Sequence, residues 1–139
     1  VAQEKSLGLL ARAYLSAKES TKAIKVLKQL SELADGGKYD ALLAQTYLAM
    51  EQWQQTIIYA DRAIAKANED SEVVYLGNMY LAKGMANFNL KEFKSSLMAF
   101  VKAEAVPNIK KTAQQWGKYV VREQQAFQQQ QQIRLAMLN

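Results

Sequence analysis

The chain has 139 residues, half of them apolar, with 18 Lys and Arg against 13 Asp and Glu for a net charge of +5. Neither cysteine nor histidine occurs, which excludes disulfides, thiol chemistry, the commonest general base and the commonest transition-metal ligand. No apolar stretch is long enough to span a membrane as a helix, and one Pro and six Gly amid abundant Ala, Leu, Gln and Lys set the class as all-α in one domain.

Residues 1–127 read as that domain, built from hairpins at about 4–34, 38–67 and 71–106 with a capping helix from 109. In the first hairpin, Leu7, Leu10, Ala11, Tyr14 and Leu15 form a stripe at helical spacing. Ser20 is placed to cap the second helix, whose stripe is Ala23, Ile24, Leu27 and Leu30. Asp35-Gly36-Gly37 is expected to end it, glycine taking the left-handed conformation of a helix C-terminus. The second hairpin pairs Leu43, Ala44 and Tyr47 with Thr56, Ile57, Ala60, Ala63 and Ile64, and Trp53 stands at its turn. The third is expected to start near Ser71, about six residues early, with Val73, Val74 and Leu76 filling the extra turns. Its second helix carries Phe93, Leu97, Phe100, Val101 and Ala103; Pro107 stops it, and Asn108 is a ready cap for the next.

The last helix places Ile109, Ala113, Trp116, Val120 and Phe127 on one face. Trp116 and Val120 should bury against Leu97, Phe100 and Val101, covering the end of the stack as a terminal element must. Beyond Phe127 the stripe fails at the run Gln128–Gln132, so 128–139 reads as a glutamine-rich, poorly anchored extension. Gly8, Gly77 and Gly117 sit alone in helical patterns, where close helix packing is the expected reason.

One pattern ties the hairpins together. Ala11, Ser20 and Ala23 recur as Ala44, Trp53 and Thr56, then as Gly84, Phe93 and Ser96, at intervals of 33 and 40 residues. A hairpin this short cannot bury its apolar face alone, so successive copies must stack into one core. This spacing of small and aromatic residues resembles the tetratricopeptide repeat (TPR), in three copies over about residues 4–110. The first copy departs from it at Ser20 and Leu30, and the third places Lys83 and Asn87 on sites that are usually apolar. The resemblance implies a right-handed superhelix whose first helices line a concave, protein-binding face.

Carried over position by position, that face presents Lys5, Leu9 and Arg12 from the first copy and Lys38, Leu42 and Gln45 from the second. The third supplies Leu81, Met85 and Phe88. The TPR subfamily that grips a C-terminal carboxylate uses a Lys and two Asn; Arg12 and Leu42 stand at two of those sites, so that clamp is broken. An apolar groove with a basic N-terminal rim suits an amphipathic helix or extended peptide with an acidic end. For any one of these leucines the alternative is packing between adjacent hairpins.

A narrower likeness lies in Tyr80–Ala86, Phe88-Asn89-Leu90, Lys111–Trp116 and Tyr119-Val120. These stretches resemble the C-terminal end of periplasmic TPR proteins that accompany the TonB, ExbB and ExbD energy-transduction system. The resemblance implies a periplasmic adaptor, with TonB-system components as partners; adaptors of pilus or outer-membrane assembly are the nearest alternative. The chain opens on Val1 without a visible leader, which reads as a fragment whose targeting sequence lies upstream.

No phosphate loop, nucleophile elbow or metal-ligand spacing is present. Glu69, Asp70 and Glu72 cluster beside an expected helix start, where negative charge offsets the helix dipole. The reading is therefore a scaffold without catalytic, metal or cofactor residues and without a small-molecule substrate. Lys18, Lys22 and Lys25, and Lys111, Lys118 and Arg122, read as solvated faces. They are not interleaved with aromatics as single-strand binders require, so nucleic acid is the weaker alternative. Self-association stays open.

Overall fold

The computed structural model describes residues 2–69 and 74–139. Among the described residues seven helices follow one another: α1 (Ala2–Ser16), α2 (Ser20–Leu33), α3 (Lys38–Ala49), α4 (Trp53–Lys66), α5 (Leu76–Asn89), α6 (Phe93–Ala103) and α7 (Lys110–Leu138), with a 3₁₀ turn at Ala67–Glu69. No strand occurs among the described residues. The helices pair as α1 with α2, α3 with α4 and α5 with α6; α2 packs on α3, α4 on α5, and α7 covers α6. First helices α3 and α5 also touch, so they share one side of the stack.

The turns within the three hairpins are built alike. Lys18, Glu51 and Lys91 carry φ of 59°, 58° and 61°, the left-handed region. The next residue's N–H reaches back five positions, from Glu19 to the Tyr14 carbonyl at 2.8 Å, Gln52 to Tyr47 at 3.0 Å and Glu92 to Asn87 at 2.8 Å. This pattern closes the orphan carbonyls at the end of each first helix. Ser20 is therefore not a cap. Glu19, Gln52 and Glu92 hold the N-cap positions, and none makes a side-chain cap bond.

The small residues of the repeat are steric requirements. Ala11, Ala44 and Gly84 are buried, and a Cβ on Gly84 would come within 2.5 Å of the Phe100 ring. The Ser96 hydroxyl donates to the Gly84 carbonyl at 2.7 Å, joining the two helices where they cross. Lys83 and Asn87, polar on an apolar pattern, are both accommodated. Lys83 pairs with Asp61 at 2.6 Å, and the Asn87 amide donates to the Lys83 carbonyl at 2.9 Å.

Several expectations are corrected. No described glycine has positive φ; α2 ends on Ala34 in extended backbone. Gly37 is needed for space, since a Cβ there would lie 2.5 Å from the Ala63 carbonyl oxygen. The early start of the third hairpin falls partly on 70–73, outside the described residues. Val74 and Tyr75 are not helical and α5 begins at Leu76, because Tyr75 is drawn inward with its hydroxyl beside Gly37. Leu10 stays 40% exposed on the outermost helix and Val101 62% exposed on the outer side of α6. Ile109, not Asn108, holds the N-cap position of α7, without a side-chain bond.

One buried network had no sequence signature. The Asp40 carboxylate is fully buried; it accepts a hydrogen bond from Ser31 Oγ at 2.6 Å and faces Lys66 Nζ at 2.8 Å and Arg62 Nε at 3.7 Å. The Lys66 contact lacks hydrogen-bond geometry and acts as a charge pairing. Lys66 instead donates to the Ser31 carbonyl at 3.1 Å. Three helices, α2, α3 and α4, are tied at this point.

Candidate functional site

The cap helix α7 does more than close the stack. Ala113 and Val120 are buried against the body, and the Trp116 indole lies parallel to Phe100 with centroids 5.9 Å apart. Trp116 itself is half-buried. Tyr119, one turn on, meets Trp116 edge-on at 5.8 Å and Phe88 at 5.4 Å. Phe88 in turn contacts Phe93, which contacts Phe127. A continuous aromatic chain thus runs from the core of hairpin three to the surface.

That chain forms one wall of a groove of about 660 Å³. Its other walls come from the ends of α3 and α5 and the start of α4: Leu48, Trp53, Met85 and Phe88 are the apolar lining, with Gln115, Trp116 and Tyr119 from α7. Glu51 is the one charged residue among the lining side chains. Glu51 holds the left-handed turn position, so the turn geometry also sets its place beside the groove.

The nine residues expected on the concave face divide. Lys5, Leu9, Arg12 and Lys38 come together around a separate depression of about 320 Å³ between α1 and α3, with Glu4, Gly8 and Tyr39. Lys38 Nζ sits 4.9 Å above the Tyr39 ring, whose hydroxyl donates to Glu4 at 3.2 Å. Met85 and Phe88 line the aromatic groove. Leu42, Gln45 and Leu81 line neither; Leu42 packs against the core, the alternative weighed for it above. Trp116 and Tyr119 were not expected in a groove. Their spacing beside Val120 hinted at a second apolar edge on α7, but the face it would meet depends on how α7 lies across α6.

Among the described residues no three acidic side chains converge as a metal-binding group. Glu69 is exposed at the 3₁₀ turn; Asp70 and Glu72 lie outside the described residues. No described helix is long and apolar enough to cross a membrane.

Three like hairpins with like turns, stacked in order and closed by one more helix, decide the architecture. The fold is TPR-like. No family model matches this sequence, and no curated protein matches it. Among solved structures it is similar to the Arabidopsis OM64 TPR domain, with a TM-score of 0.72 at 19% identity. The similarity covers 86% of this chain and 95% of that one. It extends the TPR resemblance from sequence spacing to the backbone as a whole.

Proposed function

We propose that the protein is a non-catalytic adaptor that holds a peptide or helix of another protein in the groove between α3, α5 and α7. The observation that carries this reading is the lining. Leu48, Trp53, Met85, Phe88, Trp116 and Tyr119 converge on open space with a single charge, Glu51, beside them. Apolar and aromatic surface kept in a concavity gains free energy when a partner covers it. A groove with one acid and no base does not attract a phosphate backbone, which disfavours nucleic acid. The Lys5, Arg12 and Lys38 depression adds a positive field at the N-terminal end, suited to steering an acidic end of the ligand.

The likeness of 80–90 and 111–120 to TonB-associated TPR proteins directs the choice of partner. On that likeness the adaptor belongs in the periplasm, beside TonB-system components. The test is capture from envelope extract with wild type and two variants. TonB, ExbB or ExbD should be retained by wild type, released faster by Phe88→Ala, and captured more slowly by Arg12→Glu/Lys38→Glu. Retention of pilus or outer-membrane assembly factors would redirect the partner while keeping the groove. Binding that survives both variants and is lost on reversing Lys18, Lys22 and Lys25 would overturn the groove itself.

A further inference from the structure

The sites Ala11, Ala44 and Gly84 have a fourth counterpart. Gly117 follows Gly84 by 33 residues, the interval between the first two copies. In hairpin three the second helix covers this site, with Phe100 against Gly84. On α7 no second helix follows. Among the described residues nothing lies within 4 Å of the position a Cβ on Gly117 would take. Beside it is an open depression of about 890 Å³ lined by Leu97, Val121 and Glu104, with Lys118 and Arg122 on its flank. Close packing within the chain therefore does not explain Gly117, in contrast to Gly77, whose Cβ would meet Ile109 at 2.7 Å.

The same helix carries apolar side chains with nothing to cover them. α7 has 29 residues and α6 has 11, lengths of about 44 Å and 16 Å, so α7 runs well past the body. Every residue from Gln128 onward is exposed, including Leu135 at 62% and Leu138 at 77%. Eighteen residues separate Gly117 from Leu135, about five turns of helix, so both lie on one face. Val121, Gln124, Gln128, Gln131 and Leu138 fall within about 60° of that line.

We propose that α7 pairs antiparallel with α7 of a second copy of this chain, each tail supplying the missing cover for the other's Gly117. One helix face holding both the gap and the residue that fills it is what a two-fold symmetric contact requires. The pairing that sets Leu135 on Gly117 also sets Leu138 on Gln114, Gln131 on Val121 and Gln128 on Gln124. The glutamines then meet at the centre, where their amides can bond across the axis. Arg134 is the one charged residue of 128–138, and Glu104 is the one acid lining the depression. Lys118 and Arg122 stand on the flank that meets Gln129, Gln132 and Ala136 of the second copy, away from Arg134. This surface lies on the face of α7 away from the aromatic groove, and its occupancy does not depend on the adaptor reading.

Sedimentation of the whole chain across a concentration series tests it, with circular dichroism as the check on folding. Wild type should show a monomer–dimer equilibrium. Leu135→Glu/Leu138→Glu should raise the dissociation constant at least about 30-fold, the ordinary effect of losing central apolar anchors. Gly117→Glu should do the same while leaving the monomer as helical as wild type, because the added side chain has room in one copy and none in two. Since the chain has no cysteine, mixing Gln124→Cys and Gln128→Cys chains should give a mixed disulfide between copies. A chain that stays monomeric up to about 1 mM would overturn the proposal. So would a dimer unaffected by both sets of substitutions.

Discussion

Hairpins one and two are held together differently from hairpin three and its cap. In the first pair the inner residues are Ala23, Leu27, Leu30, Leu43, Ala44, Ala60 and Ala63, small or aliphatic and fully buried, and its rings Tyr39, Tyr47 and Tyr59 are buried with them, Tyr47 stacked on Tyr59 at 5.6 Å. The buried carboxylate among them, Asp40, accepts a hydrogen bond from Ser31 and faces the cations of Lys66 and Arg62, from two neighbouring helices. In the second pair the contact runs through rings, Phe100 on Trp116, Trp116 on Tyr119, Tyr119 on Phe88. Small residues allow backbones to approach closely where the helices cross. Rings hold the helices further apart and leave their outer edges at the surface. The same repeat therefore yields a half whose rings are buried in the core and a half whose rings reach the surface and wall a groove, and the difference lies in which side chains fill equivalent sites.

The strongest test of this contrast is Phe100, the ring at the root of the aromatic half. It is 1% exposed, lies over Gly84 and stacks on Trp116. Phe100→Ala should cost about 3–5 kcal/mol in urea unfolding. It should also loosen α7, read as lost protection of 113–127 in hydrogen exchange. A small loss with α7 still protected would mean the cap is held by something other than the ring stack.

Asp40 probes the other half. Asp40→Ala removes the acceptor for Ser31 and strands Lys66 and Arg62 beside a cavity. Both cations reach solvent, at 26% and 42% exposure, so they relax into water and the loss stays near 2–4 kcal/mol. The contrast predicts that this loss adds to that of Phe100→Ala, because the two sites share no partner. A double variant much more stable than the sum would show that one core serves both halves.

The sequence made the hairpins readable because small residues at fixed intervals are a strong constraint: few residues fit where backbones cross. Turn type was less readable. Lys18, Glu51 and Lys91 adopt a conformation that usually selects glycine or asparagine, and Gly36-Gly37 drew attention to a place where no left-handed residue occurs. The Asp40 network was hidden because its members lie on three helices and no local pattern links them. For the site, Met85 and Phe88 followed from repeat position. Trp116 and Tyr119 did not, since a residue of the cap helix has no groove position until its crossing of α6 is fixed.

Trp116 sharpens the comparison at the surface. It is half-buried, stacked on Phe100 from one side and open to the groove on the other. Trp116→Ala should therefore cost less than a fully buried aromatic, about 1–3 kcal/mol, and should weaken ligand capture by more than that loss of folding explains. Trp116→Phe should restore most of the stability and only part of the binding. If alanine costs as much as at Phe100, the indole belongs to the core and the groove is shallower than its lining suggests.

The smallest effect concerns what the halves share. Each hairpin turn places a non-glycine residue at φ near 60°, a conformation that costs an L-residue about 1–2 kcal/mol. Glycine relieves that strain but adds about 0.5–1 kcal/mol of unfolded-state entropy. Lys18→Gly, Glu51→Gly and Lys91→Gly should each stabilise by up to about 1 kcal/mol, most at Lys18. Glu51 and Lys91 have more to lose than Lys18, since Glu51 borders the groove and Lys91 Nζ sits 5.5 Å over the Phe127 ring. A gain at Lys18 with a net loss at Lys91 would show that the cation–ring contact outweighs the backbone strain. In that case the aromatic half reaches into its turn as well, and the three turns are alike in geometry but not in what holds them.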